Sequence, residues 1–178
     1  MEKLTPLYLL LPAIAIIAYA CGDNQRAKNY NDETVDQRGL NFIIKANQAG
    51  LVEVKASTLA SQLSKNQRVI NFAKLMINDH TTADTELNKL ASDQLVSIRD
   101  TITQSKQKSI DSLDHLTGNN FDKAYLSMMI KGHESAILLF QEETSNKNAK
   151  VRAFADKLLP KLKLHLDSAN AISRSLHN

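Results

Sequence analysis

Along most of the chain, apolar residues recur at intervals of three and four, the spacing of one face of an α-helix. Between residues 35 and 64 the stripe is Leu40, Ile43, Ile44, Leu51, Val54, Leu59 and Leu63. A second stripe holds Val69, Phe72, Ala73, Met76, Ile77, Ala83, Leu87 and Leu90, and it predicts a helix that Asn66 caps and that ends near residue 92. Residues 94–119 are less regular: they predict a short helix with Ile110, Leu113 and Leu116, stopped by Gly118 in a C-cap role. Asn119 or Asn120 then caps a third long helix that reaches about residue 145 with Phe121, Ala124, Met128, Met129, Ile137 and Phe140. The fourth runs from about Asn148 to Leu176 on Val151, Phe154, Leu158, Leu162, His165, Ala169, Ile172 and Leu176. Pro160 lies inside it, and its missing N–H and ring clash predict a kink near Asp156.

Four amphipathic helices of this length predict an all-α four-helix bundle over residues 35–178, roughly 40 Å long at 1.5 Å per residue. Composition agrees. The chain has 178 residues, enough for one ordinary domain, and its 5 Gly and 3 Pro are too few for the turns of a many-stranded sheet. A single Cys excludes a disulfide framework and a Cys-based zinc site. With 22 basic against 19 acidic residues there is no bulk positive charge for nucleic acid.

The N-terminus has a different pattern. Lys3 precedes an apolar run from Leu7 to Ile17, followed by Ala18-Tyr19-Ala20-Cys21. This run is too short to span a bilayer and has the layout of a secretory signal peptide over residues 1–20. The lone Cys directly after the small-residue site resembles a bacterial lipoprotein lipobox. That resemblance implies acylation of Cys21, a membrane-anchored protein of the bacterial cell envelope, and residues 21–34 as a flexible polar tether.

Several polar residues interrupt the apolar faces. Glu53 has Ala46, Ala49, Ala56 and Ala60 at helical offsets, with Gly50 beside them. His80 lies among Ala73, Met76, Ile77, Ala83 and Leu87; Asp84 stands one turn on, where it can orient the ring. His133 falls among Met129, Ile130, Ala136, Ile137 and Phe140, and His165 lies within the fourth stripe. Asp79, next to His80, is expected on a solvated flank. If residues 94–119 cross the length of the bundle, the second and third helices run parallel. The four side chains then sit at about 18, 22, 18 and 17 Å from one end, closer in height than in an up-down bundle. A connection this long exceeds what a tight turn needs.

The residues Glu53-Val54, Phe72-Ala73-x-x-Met76-x-x-Asp79-His80, Phe121-Asp122-x-x-Tyr125 with His133, and Leu159-Pro160-x-Leu162-x-x-His165-Leu166-x-x-Ala169 stand in this order. On them the chain resembles domain-of-unknown-function family 4142, over about Asp36 to Ser175. The resemblance implies a ferritin-like helical bundle with one long crossover in an exported or outer-membrane protein, and it brings no activity. A di-iron centre is disfavoured, because the Glu-x-x-His pairs it needs are missing: Ile77, Ile130 and Leu162 stand three residues before the histidines.

Two readings of the buried groups follow. One is a hydrogen-bonded polar cluster that sets the register of a non-enzymatic binding or stress-related bundle. The other is a mononuclear site of Glu53, His80, His133 and His165 for one divalent Zn²⁺, Fe²⁺ or Mn²⁺, with Asp84 outside it. No Gly-rich phosphate loop, Gly-x-Ser-x-Gly elbow or His-Glu-x-x-His motif is present.

Overall fold

A computed structural model describes Met1 and residues 35–176, and these described residues form five helices. They are α1 (Gln37–Leu63), α2 (Gln67–Asp93), α3 (Gln104–Asp114), α4 (Gly118–Glu143) and α5 (Ala149–Ser175). The signal-peptide reading, the tether and Cys21 lie outside the described residues. No helix among the described residues is long and apolar enough to cross a membrane.

Local chemistry explains where the helices begin. Asp36, Asn66 and Asn148 have extended backbone, and their side chains accept from N–H groups of the first turns of α1, α2 and α5. Two boundaries differ from the sequence expectation. The short helix ends at Asp114, before Gly118. Gly118 instead opens α4 with φ +56°, behind Thr117 as N-cap, so the left-handed residue turns the chain into the next helix. Helix α5 continues unbroken across Pro160.

The long helices form two antiparallel hairpins, α1–α2 and α4–α5, laid side by side with α1 against α4 and α2 against α5. The α2–α4 connection climbs the bundle along α1. Gln48 pairs with the backbone of Thr101 and Thr103, and Lys55 with Gln107. It therefore delivers the start of α4 to the far end, so α4 runs antiparallel to α1 and parallel to α2. Contacts rise along α1 as they fall along α4: Phe42 meets Phe140, and Ser57 Oγ lies 2.9 Å from the hydroxyl of Tyr125.

The apolar interior comes in two halves. One holds Phe72, Met76, Phe121, Tyr125, Leu126 and Met129, sealed by Ile110 and Leu113 of α3. The other holds Phe42, Ile43, Leu87, Phe140, Val151 and Phe154. The buried face of α1 follows the predicted stripe only in part: Ile43 is fully buried, but Ile44 and Leu63 are both 41% exposed. Phe42 and Ile43 are buried near its start, and beyond them the buried positions are mostly small, Ala46, Ala56, Ser57 and Ala60, with Asn47 and Glu53 among them. Small residues allow α2 and α4 to approach α1 closely.

The end of α2 carries a strained residue. Leu95 has φ +56°, and its N–H and that of Val96 close a Schellman turn on Ser92 and Ala91. A β-carbon in this conformation costs about 1 kcal/mol. The side chain is 95% exposed, so it recovers nothing by burial. Leu95→Gly is expected to stabilise the protein by about 0.5–1 kcal/mol in urea unfolding. An unchanged or lower midpoint would contradict the strain assigned to this turn.

Candidate metal centre

Between the two apolar halves lies a polar layer. Glu53 of α1, His80 of α2, His133 of α4 and His165 of α5 are all buried, with no more than 7% of any residue exposed. One nitrogen from each of the three imidazoles lies within 4.8 Å of the others. The topology makes this possible. With α2 and α4 parallel, each long helix presents its polar residue at a similar height.

The partner of each ring shows where its proton sits. His133 Nδ1 is 2.9 Å from the carbonyl of Met129, which can only accept, so Nδ1 carries the hydrogen and Nε2 a lone pair. His165 Nε2 is 2.9 Å from Asp79 Oδ2. Burial works against the charge of Asp79, but hydrogen bonds from His165 and Lys161 hold its carboxyl below the usual range. It is therefore a carboxylate acceptor, and His165 Nδ1 is left with the lone pair. These two unprotonated nitrogens, His133 Nε2 and His165 Nδ1, face each other at 3.3 Å.

His80 completes the group. Its Nδ1 is 3.0 Å from Glu53 Oε2, and its Nε2 is buried without a partner. Glu53 Oε1 lies 3.3 Å from His133 Nδ1, whose hydrogen points to Met129, and this oxygen too is unpartnered. Gly132 makes room for it: a β-carbon there would come within 3.1 Å of Oε1.

Burial dominates the electrostatics. It pushes the His80 ring down to about 3, with further lowering from His133 and His165. It pushes His133 down to about 4, against the pull of the Met129 carbonyl, and lowers His165 against the pull of Asp79. It pushes the Glu53 carboxyl up to about 8, partly offset by Lys106. At neutral pH all three rings are uncharged, the form in which imidazole binds a metal.

The structure thus brings Glu53, His80, His133 and His165 together, with Glu53 on the imidazole N–H side of the group. Asp84 is not the partner of His80: its Oδ2 accepts from Asn88, while Glu53 takes the His80 Nδ1 position. Asp79 is not on a solvated flank. Its side chain is 13% exposed and bridges His165 and Lys161. Helix α2 turns Asp79 toward α5 and His80 toward the centre, a division that periodicity on one helix does not reveal.

A second polar group also escaped sequence reasoning. At the other end of the bundle, buried Glu143 pairs with Arg38 and Asn146, and Asn148 reaches Gln94. These contacts latch the α4–α5 loop to α1 and the end of α2.

Comparison with known proteins adds a family and a fold. The family model described as "Domain of unknown function (DUF4142)" matches residues 24–172. No curated protein matches the chain. The crystal structure of a DUF305 fragment from Deinococcus radiodurans superposes with a TM-score of 0.72, covering 80% of this chain and 99% of that one at 10% identity. At that identity the likeness concerns the fold alone.

The polar layer predicts how stability varies with pH in the metal-free protein. The rings take up protons in the unfolded chain below about 6.5 but resist them when folded, so stability falls as pH drops from about 6.5 toward 4. Glu53 acts oppositely: its proton is held in the folded state to about 8, so stability falls as pH rises from about 4.5 to 8. Three rings outweigh one carboxyl below about 6.5, and above it only the carboxyl acts. Metal-free protein is expected to melt highest near pH 6–7. A melting temperature that keeps rising from pH 6.5 to 8 in the presence of chelator would contradict a protonated buried Glu53.

Proposed function

The chain belongs to the DUF4142 family, a domain of unknown function, and on that footing we propose that its bundle binds one divalent transition-metal ion between His80, His133 and His165. The observation that carries this reading is the pair of unprotonated nitrogens, His133 Nε2 and His165 Nδ1, facing each other at 3.3 Å in a buried site. Two lone pairs at that distance repel; only a shared proton or a cation reconciles them. A shared proton is opposed by burial, which holds His133 near 4. A cation also satisfies the unpartnered Nε2 of His80.

The surroundings fit a metal centre. Each ring's other nitrogen has an acceptor: Glu53 for His80, the Met129 carbonyl for His133 and Asp79 for His165. Such partners fix the ring orientation and raise the basicity of the ligating nitrogen. Neutral imidazoles without thiolate suit Zn²⁺ or Fe²⁺. Glu53 holds an N–H instead of facing the three nitrogens, which makes an oxygen-seeking ion such as Mn²⁺ a poorer match.

We further propose that this centre works at the bacterial cell envelope, tethered through acylated Cys21. The support is the sequence of residues 1–21 and a family match that begins at residue 24.

Protein purified after metal-replete expression is expected to carry one ion per chain by elemental analysis. Its melting temperature should drop when a chelator is added, as binding to the folded state alone requires. His133→Ala should leave the metal sub-stoichiometric. Asp79→Asn should weaken affinity by roughly 10–100-fold, the usual cost of losing such an outer acceptor. Sub-stoichiometric metal together with a melting temperature indifferent to chelator would leave only the register-setting reading. For the anchor, fatty-acid labelling in a bacterial host should vanish in Cys21→Ser, with the domain moving to the soluble fraction. Label that survives this substitution would refute the anchor.

A further inference from the structure

A cavity of about 50 Å³ adjoins the histidine group. Glu53, Asp79, His80 and His165 wall one part of it, and Leu87, Phe140, Phe154 and Leu158 wall another. Helix geometry gives the cavity its direction. Leu87 and Phe140 each stand seven residues after the histidine of their own helix, about 10 Å along the axis at 1.5 Å per residue. Leu158 stands seven residues before His165 on the opposed α5, which places it about 10 Å away toward the same end. The space therefore extends from the imidazoles toward the phenylalanine cluster, beyond what an ion held by three nitrogens would fill. Partly exposed Ala49, Gly50, Ala83 and Asp84 form its mouth between α1 and α2.

Three imidazoles leave one position of a tetrahedral ion unfilled; zinc sites that keep such a position open exchange water or substrate there. We propose that this cavity binds a small linear ligand of two or three heavy atoms, with one donor atom, at the open position of the ion. The inference rests on the metal reading above. Volume sets the size: at roughly 10–15 Å³ for each water, the cavity holds about three to five, the space of a short ligand. The walls are mostly apolar and the Asp79 carboxylate is already paired with Lys161, so the cavity suits a ligand of low charge. The same volume bounds the ligand from above, since a five-membered ring is larger than two or three heavy atoms in a row. Glu53 does not compete for that position, since its oxygens lie against the Nδ1 atoms of His80 and His133.

The test uses the full chain loaded with Co²⁺, whose visible absorption reports coordination, with azide as the small probe and imidazole as the bulky one. The metal content is measured at every step. Azide is expected to change the spectrum saturably with the ion retained, and imidazole to leave it unchanged. Ala83→Leu, which fills the mouth, should keep the Co²⁺ and weaken azide binding at least tenfold. Failure to load Co²⁺ would overturn the metal reading and this inference with it. A loaded protein blind to azide would overturn this inference alone. Equal azide binding in Ala83→Leu would overturn the route through the cavity. Loss of the ion on adding azide would also count against an open position.

Discussion

One buried layer governs the rest of this molecule. Three imidazoles and a carboxyl cross the interior at mid-height and separate the Phe72–Tyr125 half of the core from the Phe42–Phe140 half. Burying such groups costs several kcal/mol when they are unpaired. The fold can afford the layer only if every helix arrives at one height and one rotation. A helix shifted by a residue would turn its polar group by about 100° into the apolar packing above or below.

The crossover is what makes that convergence possible. A short loop between α2 and α4 would reverse α4 and shift His133 relative to His80. The connection along α1, held by Gln48 and Lys55 and sealed by Ile110 and Leu113, returns the chain to the far end first. Helix α4 then descends beside α1, so Glu53 reaches His133 and Ser57 reaches Tyr125. Burial raises the Tyr125 phenol well above its usual range, so this hydroxyl stays a neutral partner beneath the layer. Small residues on α1 and α4 serve the same end, since a larger side chain at Ala56 of α1 or Gly132 of α4 would hold the helices away from Glu53.

Much of this architecture was legible in the chain itself. The 3.6-residue period, the Asn66 cap, the start near Asn148 and the length of residues 94–119 mark the long helices and the crossover. The buried side of α1 was half legible: the alanines around Glu53 stood out, but Ile44 and Leu63 mimicked a core stripe that the bundle leaves exposed. Periodicity finds which residues share a face, not which of two faces meets a partner. For the same reason Asp79 looked solvated and Asp84 looked like the partner of His80. Reach along one helix favours the i+4 acid, but a carboxylate from α1 was closer in space. The Glu143–Asn146–Arg38 latch depends on residues from both ends of the chain, and no local pattern reveals it.

The distinction between a register-setting cluster and a metal centre comes down to proton bookkeeping. A layer selected only to fix register would finish with donors matched to acceptors, because each unmatched pair costs stability without return. Here the outer edge of the layer is matched: Asp79 takes the His165 N–H and is itself steadied by Lys161, and Met129 takes that of His133. The mismatch is confined to the centre, where acceptor faces acceptor and the His80 Nε2 has no partner. Outer acceptors of this kind determine which nitrogen of each ring is left bare. They turn the bare nitrogens inward, which wastes hydrogen-bonding capacity in an empty layer and would organise it around the proposed cation. On the metal reading proposed above, the two functions are nested. The contacts that align the four helices are the same ones that aim three lone pairs at a common point, and an ion at that point would stabilise the alignment in return.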